Sequence, residues 1–316
     1  MTSKCSKKEH FSTKDIPSLT GRIALVTGAT GGIGYQTALD LAAAGATVLV
    51  GGRSEAKGKD AVDKIKAAVP NADVSFAMID LGSLASVKKF ATEYNAKGQA
   101  LDILINNAGI MAPPERLTTS DNFEIQLGTN HLAHFALTGQ LLPSLRRSTC
   151  SPRVVNVSSI AAKEGAMDFD DLNWNKSYSA WNGYRASKLA NLLFTAEFVK
   201  RADLGNWGVT CISAHPGVAK TDLISNGPRD DTLVGKVINV ANYVMSHPVE
   251  KAALPSIYAA VSPDAEKGGY YGPNGWFEMK GEVAKAFVPE KAKDPASAKR
   301  LWEESEKLTG VSWPAN

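Results

Sequence analysis

Short apolar runs alternate along this chain with longer stretches in which apolar residues recur every three or four positions. The runs at 22–27, 47–51, 74–78, 102–106, 153–158, 208–214 and 269–271 have strand length, and the stretches at 32–44, 55–68, 84–96, 121–142 and 178–202 have helix length. Strands that read as nearly unbroken apolar runs, rather than as an alternation, are buried on both faces. The pattern therefore predicts an α/β fold with a doubly wound, seven-stranded parallel sheet flanked by helices. A final helix is expected over 295–308, with Asp294 as its N-cap, Pro295 in the first turn and Gly310 just past the end. In the stretch 178–202, Leu189, Leu192, Leu193 and Phe198 share a helical face, which reads as core or subunit interface rather than a ligand box.

No repeat or low-complexity linker divides the 316 residues. Residues 1–20 read as a polar, flexible leader, and 21–316 as a single domain with a variable substrate segment at about 222–248, rich in Gly, Pro, Asp and Asn. With 44% apolar and 21% charged residues the chain is an ordinary globular protein. A net charge of +3 gives no footprint for a phosphate backbone, so nucleic acid is not an expected partner. Cys5, Cys150 and Cys211 are too scattered for a disulfide framework or a local metal site and fit a reducing compartment. The lysine-rich start lacks an apolar signal core, and no run approaches the roughly 18 apolar residues of a membrane span. A cytoplasmic protein without a membrane anchor is the expectation.

The first strand and its helix are joined by Thr-Gly-Ala-Thr-Gly-Gly-Ile-Gly, which places Gly28, Gly32 and Gly34 in a glycine-x3-glycine-x-glycine array. Such a turn lets backbone N–H groups and the positive end of the helix approach a pyrophosphate, as in a Rossmann fold. The second strand ends in Gly51-Gly52-Arg53-Ser54, with no carboxylate where an NAD-binding fold would bond the ribose 2′-hydroxyl. Arg53 therefore favours NADPH and NADP+ over NADH through a charge-assisted contact to the 2′-phosphate. The competing reading is a surface arginine paired with Glu55.

Tyr184 and Lys188 lie four residues apart on one face of a predicted helix. A phenol with a pKa of about 10 is a poor proton donor and acceptor near neutrality unless a cation favours the phenolate, and Lys188 can supply that charge. The strand Arg-Val-Val-Asn-Val-Ser-Ser ends at Ser158 and Ser159, at the carboxyl edge where open α/β sheets bind ligands and where a donor to a carbonyl would sit. Asn130 is a poor helix former inside a predicted helix and invites another role. His131 and His134 could share a metal, but no third ligand is evident, so packing is the expectation and no metal site is assigned. His215 reads as structural. Asp168, Asp170 and Asp171 read as loop-capping residues.

The ordered set of the glycine array, Asp80-Leu81, Asn106-Asn107-Ala108-Gly109, Asn130, Ser159, Tyr184 with Lys188, and Pro216-Gly217 resembles the short-chain dehydrogenases/reductases over residues 20–275. The resemblance implies that Tyr184 protonates a carbonyl oxygen as hydride arrives from the nicotinamide. It implies that Lys188 holds the nicotinamide ribose and lowers the tyrosine pKa, that Ser159 orients the carbonyl, and that Asn130 supports a water relay to Lys188. Cofactor contacts are implied for Gly28, Gly32, Ile33, Gly34, Asp80, Leu81, Asn107, Ala108, Gly109, Pro216, Gly217, Val218 and Thr221, with Tyr184 and Lys188. The 25-residue spacing of Ser159 and Tyr184, with Ala-Met-Asp-Phe-Asp-Asp-Leu-Asn-Trp inside it, is similar to the retinol dehydrogenase and WW-domain oxidoreductase branch. The favoured function is an NADPH-dependent reductase of a small hydrophobic ketone or aldehyde, with Met111, Ile160, Trp181 and Val218 beside Ser159 and Tyr184 in its pocket. A non-redox isomerase, dehydratase or cyclase on the same fold, and an NADP(H)-sensing scaffold, are the alternatives. The resemblance also implies a homodimer paired through the helices that carry Asn130 and Tyr184.

Overall fold

The computed structural model describes residues 10–219 and 247–314. Seven strands pair in parallel: β1 (Ile23–Thr27), β2 (Thr47–Gly52), β3 (Val74–Met78), β4 (Ile103–Asn106), β5 (Arg153–Val157), β6 (Thr210–Ala214) and β7 (Tyr270–Pro273). An eighth, β8 (Val283–Lys285), runs antiparallel to β7. The strand order is β3-β2-β1-β4-β5-β6-β7-β8. Among the described residues the sheet thus has eight strands where seven were expected. Val-Ala-Lys is three residues long and closes an edge, so no apolar run announces it.

Helices α1 (Gly32–Ala43), α2 (Glu55–Ala68), α3 (Leu84–Ala96), α4 (Ile125–Leu127), α5 (Ala133–Arg146), α6 (Ala180–Leu204), α7 (Val249–Val261) and α8 (Pro295–Thr309) cover the sheet. One core, between the sheet and α1, α2 and α7, contains Val26, Val48, Ile65 and Ile257. The other, toward α3, α5, α6 and α8, contains Leu25, Leu104, Phe135, Phe198 and Trp302. Double-sided burial is what the near-continuous apolar strands required. The sheet winds one way from β1 to β3 and the other way from β4 to β6. The crevice at the carboxyl ends of β1 and β4 is therefore its switch point, where such sheets bind ligands.

Three local departures bear on the site. The stretch 121–142 is broken into α4, a π-helical turn at Gly128–Leu132, and α5. Such a turn widens the helix and often marks a functional position. Gly128 permits it, since a Cβ there would stand 2.5 Å from Thr119 Cγ2. Next, α6 begins at Ala180, after Tyr178, whose hydroxyl donates to the Pro113 carbonyl over 2.7 Å. Finally, residues 10–20 of the expected flexible leader pack on the domain. Leu19 is buried and donates its N–H to the Ala44 carbonyl over 2.8 Å, and the Phe11 ring meets Tyr258 edge-on at 5.1 Å.

The final helix has the expected caps. Asp294 accepts from Ala296 N and Ser297 N, each at 3.1 Å, and Gly310 closes the helix with a φ of 66°. It lies along α6 and α5, where Trp302 stacks among Phe135, Phe194 and Trp313 with ring centroids 4.7–5.7 Å apart. The segment 222–248 lies, apart from its last two residues, outside the described residues, as does Thr221.

Candidate active site

The glycine turn leaves β1 with Gly28 at φ 65° and enters α1 with Gly32 at φ 55°, conformations that L side chains rarely adopt. At Gly28 a Cβ would also lie 2.9 Å from Ala108 Cα, and at Gly34 it would lie 2.4 Å from the Gly28 carbonyl oxygen. The turn and the loop after β4 therefore touch backbone to backbone. A Cβ at Gly31 would meet nothing within 4 Å, and α1 begins there without a side-chain cap, so its first N–H groups are left for a ligand or water. These residues fit the pyrophosphate of a dinucleotide.

Asn107 and Ala108 are held against this turn. Asn107 Nδ2 donates to the Thr27 carbonyl over 2.8 Å, and Asn107 N and Ala108 N donate to Thr27 Oγ1 over 2.9 and 3.1 Å. At the tip of β2, Gly52 packs so closely that a Cβ would meet Thr30 Cγ2 at 2.7 Å, which sets Arg53 beside the glycine turn. Arg53 is exposed, and no ion pair with Glu55 forms. Asp80 follows β3 with its Oδ1 accepting from Gly82 N over 2.9 Å, and Leu81 is buried next to it.

Across the crevice, Tyr184 and Lys188 lie one turn apart on α6, both buried, with Lys188 Nζ 5.8 Å from the Tyr184 ring centroid. Lys188 Nζ donates to the Val157 carbonyl at the end of β5 over 3.2 Å. Burial pushes its pKa down to about 8. Ser159 follows β5 directly. Its hydroxyl accepts from Ala161 N over 3.2 Å, and its carbonyl accepts from the Tyr270 hydroxyl over 3.2 Å; its side chain also faces the Tyr184 phenol. Burial pushes the Tyr184 pKa up and the Ser159 side chain pulls it back. In this arrangement the ammonium does not reverse the effect of burial, contrary to the expectation that Lys188 lowers the tyrosine pKa. Ser158, the first of the pair, faces away and donates to the Lys188 carbonyl over 2.7 Å.

Asn130 sits in the π turn, fully buried. Its Oδ1 accepts from Ile110 N over 2.7 Å, and its Nδ2 donates to the Ile110 carbonyl and to Ser187 Oγ over 3.0 and 2.9 Å. A Cβ on Gly109 would lie 3.3 Å from both Asn130 Oδ1 and Lys188 Nζ, so this glycine lets the two approach. Met111, Ile160 and Val218 are half-buried. Trp181 is exposed and stands edge-on to Tyr184 with ring centroids 6.2 Å apart. Pro216 and Gly217 follow β6, with Gly217 at φ 71° and its N–H donating to His215 Nδ1 over 3.2 Å.

Several residues of the site carry no motif. His131 in the π turn and His134 at the start of α5 have different partners. His134 bridges the Asn130 carbonyl (Nδ1, 3.0 Å) and Thr27 Oγ1 (Nε2, 2.9 Å), whereas His131 Nε2 lies 2.8 Å from Ser305 Oγ. His215, which sequence reasoning gave a structural role, lies 3.4 Å from Glu278, which also pairs with Lys163 at 2.9 Å. Gln126 and Glu124, both buried in the α4 turn, were missed. Their signal is indirect: Gly183, next to Tyr184, leaves room for the Gln126 amide.

Fold and site together define a nicotinamide-dependent oxidoreductase of alcohols and carbonyls. The profile of the short chain dehydrogenase family matches residues 22–231, and the chain belongs to that family. It is 40% identical over 301 residues to Retinol dehydrogenase 13 of Homo sapiens, covering 94% of this chain and 87% of that protein. It is 39% identical over 304 residues to Polyprenol dehydrogenase of Mus musculus, covering 94% and 86%. The crystal structure of an uncharacterized protein from Mycobacterium paratuberculosis is similar at a TM-score of 0.80 and 36% identity, covering 97% of this chain and all of that one.

Proposed function

We propose that the protein is an NADPH-dependent oxidoreductase that interconverts a carbonyl and an alcohol on a small hydrophobic substrate. The observation that carries this reading is the buried Tyr184 phenol facing Ser159 beyond the carboxyl end of β5, with the buried Lys188 ammonium one helical turn away on α6. The bound nicotinamide supplies the hydride in reduction and accepts it in oxidation. Tyr184 gives its phenolic proton to the carbonyl oxygen during reduction and takes it back from the alcohol in the reverse direction. Ser159 holds that oxygen by a hydrogen bond. Lys188, when charged, favours the phenolate left behind and donates to the nicotinamide ribose. Asn130 fixes the loop after β4 against α6 beside Lys188.

The glycine turn with Gly28, Gly32, Ile33 and Gly34 would hold the pyrophosphate, Arg53 the 2′-phosphate, and Asp80 and Leu81 the adenine. Asn107, Ala108 and Gly109 would line the ribose side, and Pro216, Gly217, Val218 and Thr221 the nicotinamide. The exposure of Arg53 beside the glycine turn supports NADPH over NADH. Met111, Ile160, Trp181 and Val218 make the neighbourhood of Tyr184 apolar. Retinol and polyprenol, in the names of the two relatives, are themselves apolar alcohols, which supports the same substrate class.

Residues 21–316 act as one catalytic unit. No described helix is long and apolar enough to cross a membrane, and Cys150 and Cys211 are free, which supports work in the reducing cytoplasm. A homodimer would pair through the helices that carry Asn130 and Tyr184; on α5 and α6 the face bearing Phe135 and Phe194 is already packed against Trp302 of α8.

The test is consumption of NADPH and of NADH by the purified protein across a panel of hydrophobic ketones and aldehydes, with Tyr184→Phe alongside. Turnover with NADPH that is lost in Tyr184→Phe is expected. Equal turnover in Tyr184→Phe would overturn the reading.

A further inference from the structure

The loop 110–113 follows Asn106-Asn107-Ala108-Gly109 at the end of β4 and contains Met111, the residue proposed above for the substrate side. Ala112 within it is fully buried and has a φ of 44°, in the left-handed region that favours glycine. An alanine held there needs a partner that fixes the backbone. That partner is Gln126, a fully buried amide in the α4 turn, whose Oε1 accepts from Ala112 N over 2.7 Å.

The other end of the same amide reaches α6. Gln126 Nε2 donates to the Ala180 carbonyl over 3.0 Å, and lies 3.4 Å from the Tyr178 hydroxyl. Ala180 opens α6, and in helical register its carbonyl is the acceptor for the N–H of Tyr184 itself. The space for the amide exists because residue 183 is glycine; a Cβ there would stand 2.9 Å from Gln126 Nε2. Tyr178 ties the loop a second time, by its donation to the Pro113 carbonyl over 2.7 Å.

The amide can bind both sides only in one orientation, and Glu124 sets it. Glu124 Oε1 lies 3.3 Å from Gln126 Nε2, and Glu124 Oε2 accepts from Leu127 N over 2.8 Å. A carboxylate only accepts, so the amide nitrogen must face it and the carbonyl oxygen must face Ala112 N. Glu124 N in turn donates to Asn173 Oδ1 over 2.6 Å, within the long spacer that follows Ser159.

We propose that Gln126 is a positioning residue of the reaction, a single buried amide that fixes the distance between the substrate-side loop at Ala112 and the helix turn bearing Tyr184, with Glu124 holding its orientation. The inference rests on the reading of Tyr184 as the proton-transferring group. Gln126 touches none of the glycine-turn residues. Its loss therefore acts on the alignment of Tyr184 with the carbonyl substrate, while the glycine turn and Arg53, which would hold the phosphates of the cofactor, are left in place. A misplacement of about 1 Å between reacting groups lowers rates by about 100-fold, so a loss of about 10- to 100-fold in kcat/KM is expected.

The experiment compares wild type, Gln126→Met, Tyr178→Phe and the double variant by NADPH fluorescence titration and by steady-state reduction of one carbonyl that wild type turns over. The expected result is unchanged NADPH affinity in all four, a 10- to 100-fold fall in kcat/KM for Gln126→Met, a smaller fall for Tyr178→Phe, and less than additive loss in the double variant. Less than additive loss is the signature of two anchors acting through one loop, and a merely structural weakening does not produce it. Wild-type kcat/KM in Gln126→Met overturns the proposal, as does a parallel loss of NADPH affinity or fully additive effects. If Gln126→Met does not fold, Tyr178→Phe alone decides, by a fall in kcat/KM at unchanged NADPH affinity or by none. Absence of wild-type turnover would instead count against the oxidoreductase reading itself.

Discussion

The Thr27 hydroxyl lies 2.9 Å from Nε2 of His134, so the strand that opens the glycine turn is bonded to the helix segment that follows Asn130. The direction of this bond can be assigned. Nδ1 of His134 faces a carbonyl oxygen, that of Asn130, and must carry the proton. Burial pushes the imidazole pKa down to about 4, so the ring is neutral, Nε2 is an acceptor and Thr27 donates. The same Thr27 oxygen accepts from Asn107 N and Ala108 N. One hydroxyl thereby joins the glycine turn, the loop after β4 and the π turn.

Thr27→Val keeps the shape and removes this junction. Two backbone N–H groups lose an acceptor and one imidazole nitrogen loses its donor, each orphaned buried group costing about 1–3 kcal/mol. Urea unfolding should show a loss of at least about 2 kcal/mol, with weaker NADPH binding, while Thr27→Ser stays near wild type. Equal stability of the valine and serine variants would remove the argument.

Lys188 gives the reaction a pH limb. Its pKa of about 8 means that it is charged below that pH and neutral above it. Reduction leaves Tyr184 as a phenolate, which the ammonium favours, so kcat/KM for reduction should be level below about 8 and fall above it. The stability effect has the opposite trend. The folded pKa lies below the ordinary 10.5, so between about 8 and 10.5 the unfolded chain binds more protons and this group adds stability as pH rises. A pH profile of kcat/KM that stays level to pH 10 would contradict the role given to Lys188.

Arg53 should set the cofactor preference. A charge-assisted hydrogen bond to the 2′-phosphate corresponds to about 10- to 100-fold in affinity. Arg53→Glu is therefore expected to raise the KM for NADPH by that factor and leave the KM for NADH within about twofold. Arg53 is exposed and lies outside both cores, so thermal stability should not change. An unchanged ratio of the two KM values would return Arg53 to the status of a surface residue.

Much of this was legible because the signals are local. Unbroken apolar runs marked seven strands, and the glycine array, the Tyr184–Lys188 spacing and the serines ending β5 each sit within one turn or strand edge. β8 was not legible, since its place is defined by pairing with β7 and not by its own three residues. Nor was the break at Gly128–Leu132, because periodicity cannot distinguish a π turn from the α-helix around it. Gln126 reaches Ala112, 14 residues away, and Thr27 reaches His134, 107 residues away, and no spacing rule reports on such pairs; Glu124 acts through Gln126 and is no more legible than it. The tyrosine pKa failed for a related reason: helical spacing gives the proximity of Lys188 but not the depth of burial that opposes it.

His131 makes the fold sensitive to acid. Ser305 Oγ donates to the Leu301 carbonyl over 2.7 Å, so toward His131 it is the acceptor and Nε2 carries the imidazole proton. Nδ1 is then an unprotonated, buried nitrogen without a hydrogen-bond partner among the described residues. Burial pushes the pKa of this ring down to about 3, and the neighbouring His134 adds to the shift. Because the folded pKa lies below the ordinary 6.5, the unfolded chain binds the extra proton between pH 6.5 and about 3. The contribution is complete above pH 6.5 and is lost as pH falls, at about 1.4 kcal/mol per pH unit for one such group. His134, His215 and His247 are also pushed down, so the wild-type slope exceeds that of a single histidine. The share of His131 is isolated by comparing wild type with His131→Leu in urea unfolding at pH 7 and pH 5. The variant loses the bond to Ser305 at both pH values, and the difference between the two proteins should shrink by about 1–2 kcal/mol at pH 5. A difference independent of pH would show that His131 is not held neutral by its burial under α8.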